Sequence, residues 1–261
     1  FIFFAFALTP CIGKGNHRHF MEKEIHEQPT VIGDTLRALY SHTTHSVQLP
    51  ELPINLADVT RFTATACGTA FYACLVAKYW MEQVARVPMD VDIASEFRYR
   101  EAPLPEGGAM ICVSQSGETI DTLEALRYAK REEQMILSVV NVPESAIARE
   151  SDGVLQTLAG PEIGVASTKA FTTQLTVLAA LAIQTATERK SIDGARAAAL
   201  THVLIEVPAL FAHVLANESH IRDIAIKLSE ARDVLYLGRG SAYPIAMEGA
   251  LKLKEISYIH A

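Results

Sequence analysis

The chain leaves a short apolar run and enters clustered hydroxyls at Cys112-Val113-Ser114-Gln115-Ser116-Gly117-Glu118-Thr119, immediately before a helical pattern. A strand that ends here delivers the backbone to a turn, where Gly117 permits a close approach to a ligand. The free amides and the positive dipole at the start of the next helix favour an anion, and Ser114, Ser116 and Thr119 add hydroxyl donors. The stretch therefore predicts a phosphate-binding loop, with an ordinary helix N-cap at Thr119 as the alternative interpretation.

The same order of strand, hydroxyl loop and helix occurs twice more. Residues 59–66 run into Cys67-Gly68-Thr69-Ala70-Phe71-Tyr72, and residues 234–237 run into Gly238-Arg239-Gly240-Ser241-Ala242-Tyr243-Pro244. Gly68-Thr69-Ala70-Phe71 then aligns with Gly240-Ser241-Ala242-Tyr243. This pattern indicates a duplicated unit whose second copy begins near residue 230 and is cut off after one helix.

Composition narrows the class of protein. The 261 residues are 49% apolar, which is enough for more than one core, and the net charge is -7. The acidic balance and the lack of a basic stripe exclude a nucleic-acid partner. Small anionic metabolites remain compatible, because local helix ends rather than net charge decide their binding.

The cysteines and histidines indicate a reducing compartment. Cys11, Cys67, Cys74 and Cys112 form no CxxC pair and lie in apolar segments, so we expect buried thiols, no disulfide and a cytoplasmic location. The nine histidines lack Cys or acidic partners at ligand spacing, so no metal site is expected.

The first eight residues, Phe-Ile-Phe-Phe-Ala-Phe-Ala-Leu, have two interpretations. They resemble the apolar core of a signal peptide, but no Met or basic residue precedes them. They are also too short to span a bilayer, which takes about 20 apolar residues. The unpaired cysteines favour the second interpretation, a fragment that begins with a read-in or with a remnant of a preceding domain.

Hydrophobic periodicity predicts an α/β protein with a parallel sheet. A helix over 20–28 stops at Pro29, a second covers 30–40, and a linker spans 41–53. Predicted strands at 59–66, 89–94, 109–113, 135–141 and 154–157 alternate with helices at 70–87, 119–132 and 167–187. Residues 193–228 are helical with a break at Pro208.

Lys169 lies in the first turn of the predicted helix after residue 166, where the helix dipole opposes a cation. A solvated side chain is the plain interpretation. A bound anion or a nearby carboxylate such as Glu162 explains the position better.

Four longer motifs resemble the isomerase half of the glutamine:fructose-6-phosphate aminotransferase family. They are residues 19–29 (HFMEKEIHEQP), 114–122 (SQSGETIDT), 164–172 (GVASTKAFT) and 248–256 (EGALKLKEI). The resemblance implies two sugar isomerase (SIS) domains in tandem, each an α/β parallel sheet flanked by helices. The implied organisation is an atypical apolar segment at 1–18, helices and linker at 19–53, a first SIS domain at 54–190, connecting helices at 191–229, and the truncated start of a second SIS domain at 230–261.

This resemblance implies synthesis of glucosamine 6-phosphate from fructose 6-phosphate and ammonia released from glutamine by a separate glutaminase domain. It also implies a homodimer, no cofactor and no membrane association. Phosphate contacts fall on Ser114, Gln115, Ser116 and Thr119, and sugar contacts on Thr69, Val165 and Ser167. Proton transfer is implied for Glu255, assisted by Lys252 and Glu248, although by spacing alone an i,i+4 surface pair is the preferred interpretation of Glu248 and Lys252.

Three departures from the family pattern limit these expectations. Ala70 stands where the family usually has Ser, so one hydroxyl of the first loop is missing. No glutaminase segment is present, and the sequence stops at Ala261, before the family's ring-opening His and Schiff-base Lys. We therefore expect this polypeptide alone to be catalytically silent. A non-catalytic sugar-phosphate-binding module and a plain phosphosugar isomerase are the rival interpretations.

Overall fold

Five parallel strands form the central sheet of the structure, a computed structural model that describes residues 13–261. The predictions for residues 1–8 and for Cys11 lie outside the described residues. The strands are β3 (Phe62–Ala66), β4 (Met89–Ile93), β5 (Ala109–Ser114), β6 (Met135–Val140) and β7 (Gly153–Gln156), and a two-stranded hairpin, β1 (Tyr40–Ser41) and β2 (Ser46–Val47), precedes them. The strand order is β4-β3-β5-β6-β7, so the chain runs outward from β3 in both directions.

Apolar runs explain why β3 and β5 occupy the middle of the sheet. Every residue of both strands is buried, as is typical of parallel strands covered on two faces. Alternation divides the core: Ile111 and Val113 pack in one cluster, whereas Met110 and Cys112 pack in another. The predicted parallel α/β sheet is confirmed.

Helices cover both faces of this sheet and continue beyond it. Helix α6 packs against α1 and α2, and α9 packs against α2. The helices are α1 (Phe20–Ala38), α2 (Thr69–Trp80, continued by a π-helical turn at Met81–Ala85), α3 (Ala94–Arg100), α4 (Ile120–Arg131), α5 (Ala146–Glu150), α6 (Lys169–Glu188), α7 (Gly194–Leu215), α8 (Glu218–Leu228) and α9 (Ala242–Ser257).

The predicted break at Pro29 is wrong, because α1 continues through it. Proline has no N–H to give to the carbonyl four residues earlier, here Ile25. The side-chain amide of Gln28 donates to that carbonyl at 3.0 Å instead. The substituted hydrogen bond satisfies the orphaned acceptor, so the helix does not end.

Two further sequence predictions are corrected. Helix α7 runs through Pro208 and ends at Leu215, because Leu204 and Phe211 pack onto the core on either side of the proline. The predicted linker at 41–53 contains the second strand of the hairpin.

The predicted strand at 234–237 is also wrong. Val234 donates to the carbonyl of His260 at 2.8 Å, and Asp233 and His260 form an isolated bridge. Leu235 and Leu237 are 86% and 89% exposed. In the part of the chain that the structure describes, this segment pairs only with the last residues of the chain.

Helix α7 is the single described helix long and apolar enough to cross a membrane, judged by length and composition alone. Cys67, Cys74 and Cys112 are free thiols, and complete burial raises the pKa of Cys74 and of Cys112. These two thiols pack as small apolar side chains.

Candidate sugar-phosphate site

The predicted phosphate loop follows β5 and is closed by its own hydroxyls. The Ser114 hydroxyl accepts from the Gly117 amide at 3.0 Å and lies 2.9 Å from the Thr119 hydroxyl. The Glu118 amide donates to Ser116 Oγ at 3.2 Å. Ser114 is buried and shapes the turn, whereas Ser116 is exposed. The loop therefore holds a fixed shape with one hydroxyl open to the surroundings.

Gly117 fixes the loop against the following element. Its φ is +66°, a region that favours glycine, and a side chain there would collide with Ser145 Oγ. The Gly117 carbonyl accepts from the Ile147 amide at 3.0 Å, and the Glu118 carboxylate accepts from the Ala146 amide at 2.8 Å. The amides of the first two residues of α5 thus hold the loop in place.

Thr119 occupies the N-cap position of α4, but its side chain makes no cap bond because its hydroxyl meets Ser114. The first amides of a helix have no intrahelical partners, and they carry a positive partial charge. The start of α4 can therefore donate to an anion. The N-cap alternative holds for the position of Thr119 but not for its hydroxyl.

The loop after β3 lies beside this one, because Thr65 of β3 is in register with Cys112 of β5. Gly68, with φ +56°, turns the chain into α2, whose first residues are Thr69 and the buried Ala70. The carboxyl ends of neighbouring parallel strands meet at one edge of a sheet, where ligands of such folds bind.

Helix α9 brings three charged side chains to Thr69. The Thr69 hydroxyl donates to Glu248 Oε1 at 3.0 Å and accepts from Lys252 Nζ at 2.8 Å. The same ammonium lies 3.4 Å from Glu248 and 2.6 Å from Glu255. Spacings of four and three residues place these side chains on one helical face, as predicted. Contact with Thr69 shows that this face is more than a surface ion pair.

The two carboxylates of this helical face differ in burial. The Glu248 side chain is 6% exposed and that of Glu255 is 38% exposed. Burial raises the pKa of Glu248, against the opposing effects of Lys252 and the Thr69 hydrogen bond. Burial and the nearby Glu248 also raise the pKa of Tyr72. The buried acid therefore favours its neutral form more than an exposed one does.

Glu162, the carboxylate predicted to lie near Lys169, instead holds the loop before α6. Its carboxylate accepts from the amides of Thr168 and Ala170 at 2.8 and 3.1 Å and from Ser167 Oγ at 2.9 Å. It therefore caps the start of α6, where a negative charge is favourable. It does not pair with Lys169.

Lys169 is paired instead with Glu27 of α1, at 2.8 Å. The Lys169 side chain is only 4% exposed, so the solvated interpretation is wrong. Although partial burial opposes ionisation, Lys169 and Lys23 lower the pKa of Glu27. The unfavourable position of Lys169 is thus explained by a carboxylate from a distant helix.

These loops and α9 enclose a cavity of about 260 Å³. Nine of the ten predicted site residues line it, and Glu248 lies behind Thr69 and Lys252. The nine are Thr69, Ser114, Gln115, Ser116, Thr119, Val165, Ser167, Lys252 and Glu255.

Sequence reasoning missed Gln174 in the cavity wall. This side chain is 3% exposed, and its Oε1 is buried without a hydrogen-bond partner in the described structure. The available signal was a long polar amide among the small and apolar residues of the predicted helix, on the face that becomes buried. Cys67 and Val113 also line the cavity and were not predicted.

The comparisons with known proteins agree with this geometry. The SIS domain family matches residues 55–184 and 227–261. Those ranges contain the sheet, both hydroxyl loops and α9. The chain is therefore a sugar isomerase (SIS) domain protein by family and by fold.

Two curated relatives show which SIS domain proteins this chain is similar to. The chain is 57% identical to the glutamine-fructose-6-phosphate aminotransferase (isomerizing) of Bradyrhizobium diazoefficiens, over 98% of this chain and 42% of the relative. It is 58% identical to the enzyme of the same name from Brucella abortus, over 96% of this chain and 41% of the relative. The chain thus spans about two fifths of the length of these curated relatives.

A solved structure supports the same assignment. The C-terminal domain of glucosamine-fructose-6-phosphate aminotransferase from Francisella tularensis superposes with a TM-score of 0.91 at 43% identity. The match covers 95% of this chain and 70% of that one. This chain belongs to the glutamine-fructose-6-phosphate aminotransferase family and corresponds to part of its C-terminal domain.

Proposed function

We propose that this chain binds fructose 6-phosphate in the cavity and supplies the proton-transfer groups for its conversion, with ammonia, to glucosamine 6-phosphate. The relatives' name specifies glutamine and fructose 6-phosphate as reactants. One observation carries the proposal: Lys252 and Glu255 line the same 260 Å³ cavity as the phosphate loop.

The phosphate group is assigned to the loop after β5. Ser114, Gln115, Ser116 and Thr119 line the cavity beside the uncapped first turn of α4. Hydroxyls and helix-start amides together donate to several phosphate oxygens without a lysine. Thr69, Val165 and Ser167 line the other walls and are assigned to the sugar.

Proton transfer between C1 and C2 of the sugar requires one base within hydrogen-bond reach of both carbons. Glu255 is the most exposed of the three α9 carboxylate and ammonium groups, and its carboxylate lies 2.6 Å from Lys252. We assign the transfer to Glu255, with Lys252 and Glu248 as the supporting groups on the same helical face.

We propose a soluble, cytoplasmic homodimer that receives ammonia from a glutaminase domain and binds neither nucleic acid nor membrane. The net charge of -7 supports the exclusion of nucleic acid. Exposed apolar residues of α7, including Val203 and Leu210, support a protein partner on that helix. No cofactor enters the proposal, because a proton shift needs only a positioned acid and base.

Deuterium exchange tests the chemistry separately from product formation. The chain is incubated with fructose 6-phosphate in D2O, and NMR follows the sugar C1 protons. The chain alone is expected to be silent in the overall conversion, forming neither glucose 6-phosphate nor glucosamine 6-phosphate, so exchange reports the proton-transfer step by itself. We expect exchange that Glu255→Gln abolishes while the same variant still binds the sugar phosphate. Binding with no exchange in the unmodified chain overturns the catalytic proposal in favour of a binding module, and absence of binding overturns the proposal entirely.

A further inference from the structure

The loop that joins β7 to α6 is held along its length by helix α1. The Thr35 hydroxyl of α1 accepts from the Leu158 amide at 3.1 Å. About three turns earlier on the same helix, Glu24 accepts from the Ile163 amide at 2.6 Å, and each of its two oxygens accepts from the Gly164 amide at 3.0 Å. A single carboxylate therefore engages two consecutive loop amides.

Glu24 occupies a site shaped for it. The residue is 2% exposed. A side chain at Gly164 would collide with Glu24 Oε2, so this close approach requires glycine. A carboxylate that accepts several backbone N–H bonds forms short, charge-assisted hydrogen bonds, and these hold the loop more firmly than neutral contacts would.

The anchored amides immediately precede the sugar side of the cavity. Val165 is 96% exposed and lines the cavity together with Ser167. On the far side of Ser167, the Glu162 carboxylate fixes the Thr168 amide. The short segment that presents both residues is thus held at each end, by Glu24 on one side and by Glu162 on the other.

We propose that Glu24 is a positioning residue that presets Val165 and Ser167 for the sugar part of a hexose phosphate. The inference rests on the proposed function of the cavity. Without the anchor, a loop that must order on binding loses affinity through its conformational entropy. The phosphate group is assigned to the loop after β5. That loop is held by its own hydroxyls and by α5, so its shape does not depend on Glu24.

This separation gives a specific expectation for Glu24→Ala and Glu24→Gln. Calorimetry compares their affinities for fructose 6-phosphate and for inorganic phosphate. We expect Glu24→Ala to weaken fructose 6-phosphate by about tenfold while inorganic phosphate changes less than about twofold. Glu24→Gln keeps one acceptor and nearly the same volume, so its loss is intermediate. Asp34→Asn removes the charge of a partly exposed carboxylate of the same helix, paired with Arg37, and leaves both affinities unchanged.

The outcomes distinguish the positioning role of Glu24 from the proposed function of the cavity. An equal loss for both ligands, or no loss for either, overturns the positioning role. Should Glu24→Ala not fold, the comparison rests on Glu24→Gln against Asp34→Asn. If the unmodified chain binds neither ligand, the proposed function fails. If the unmodified chain binds both ligands and the Glu24 variants bind each ligand as tightly as the unmodified chain does, only the role of Glu24 fails.

Discussion

Thr69 Oγ1 donates a hydrogen bond to Glu248 Oε1 at 3.0 Å across 179 residues of sequence. The bond joins the first turn of α2 to the middle of α9. Lys252 contacts the same hydroxyl at 2.8 Å, so Thr69 uses both its donor and its acceptor capacity. This relationship brings the charged face of α9 to the edge of the sheet that carries the phosphate loop.

Thr69→Val should separate α9 from α2. Valine has a similar shape but leaves the buried Glu248 carboxylate without its hydroxyl donor. We expect the free energy of unfolding to fall by about 1.5–3 kcal/mol, measured by urea denaturation. Thr69→Ser keeps the hydroxyl and serves as the control. Equal stabilities of the two variants would show that the hydrogen bond has no energetic role.

The difference in stability between Glu248→Gln and the unmodified chain should change with pH in a defined direction. The pKa of Glu248 is raised in the folded chain, mainly by burial, so its favourable contribution to stability is complete below the ordinary value of about 4.5. That contribution is lost as the pH rises through the raised pKa, to which the nearby Glu255 adds and which Lys252 and the Thr69 hydrogen bond oppose.

The Tm of Glu248→Gln minus that of the unmodified chain should therefore become more positive from about pH 4 to pH 7. Thermal unfolding across this range measures it. A difference that stays constant or becomes more negative would mean that Glu248 is ionised at least as readily in the folded chain as in the unfolded one.

Ala70→Ser should strengthen binding of fructose 6-phosphate. Ala70 lines the cavity next to Thr69, and serine there adds a hydroxyl donor with little added volume. One hydrogen bond of about 1 kcal/mol corresponds to an increase in affinity of about fivefold, measured by calorimetry. Ala242→Ser, at the corresponding position in the first turn of α9, is the control, with no change expected. A weaker affinity for Ala70→Ser would show that this wall of the cavity tolerates no added group.

Gln28 should be important only because of Pro29. In Gln28→Met the Ile25 carbonyl loses its donor, and we expect the free energy of unfolding to fall by about 0.5–1.5 kcal/mol. In a Pro29→Ala background the new backbone N–H can serve that carbonyl, so the same change should cost almost nothing. A double-mutant cycle measures this coupling. Additive losses would contradict the compensation.

Local pattern predicted the sheet and the phosphate loop for physical reasons. Buried apolar runs mark β3 and β5, and hydroxyl loops directly after them must meet at one sheet edge. Helical spacing placed the charged side chains of α9 on one face, but spacing alone favoured a surface ion pair. The roles expected of α9, of Thr69 and of the loop at Val165 and Ser167 followed only from the family resemblance.

What the sequence could not show depends on contacts between distant residues. Glu24 meets Gly164 across 140 residues, and Glu27 meets Lys169 across 142. Neither pairing has a local signal. The error at Pro29 has a different origin, because the compensating donor is the side chain of the adjacent Gln28. The strand expected at 234–237 lacks partners among the described residues, so β-propensity alone could not decide it.

Thermal unfolding with and without millimolar fructose 6-phosphate tests most directly whether the cavity binds a hexose phosphate. A ligand at a hundredfold excess over its Kd adds about 2.7 kcal/mol, which raises the Tm by roughly 5–10 °C for a chain of this size. We expect that rise in the unmodified chain and its loss in Ser116→Ala, whose hydroxyl is the open one of the loop. A cooperative transition that fructose 6-phosphate leaves unchanged, or a shift that survives in Ser116→Ala, would contradict the account.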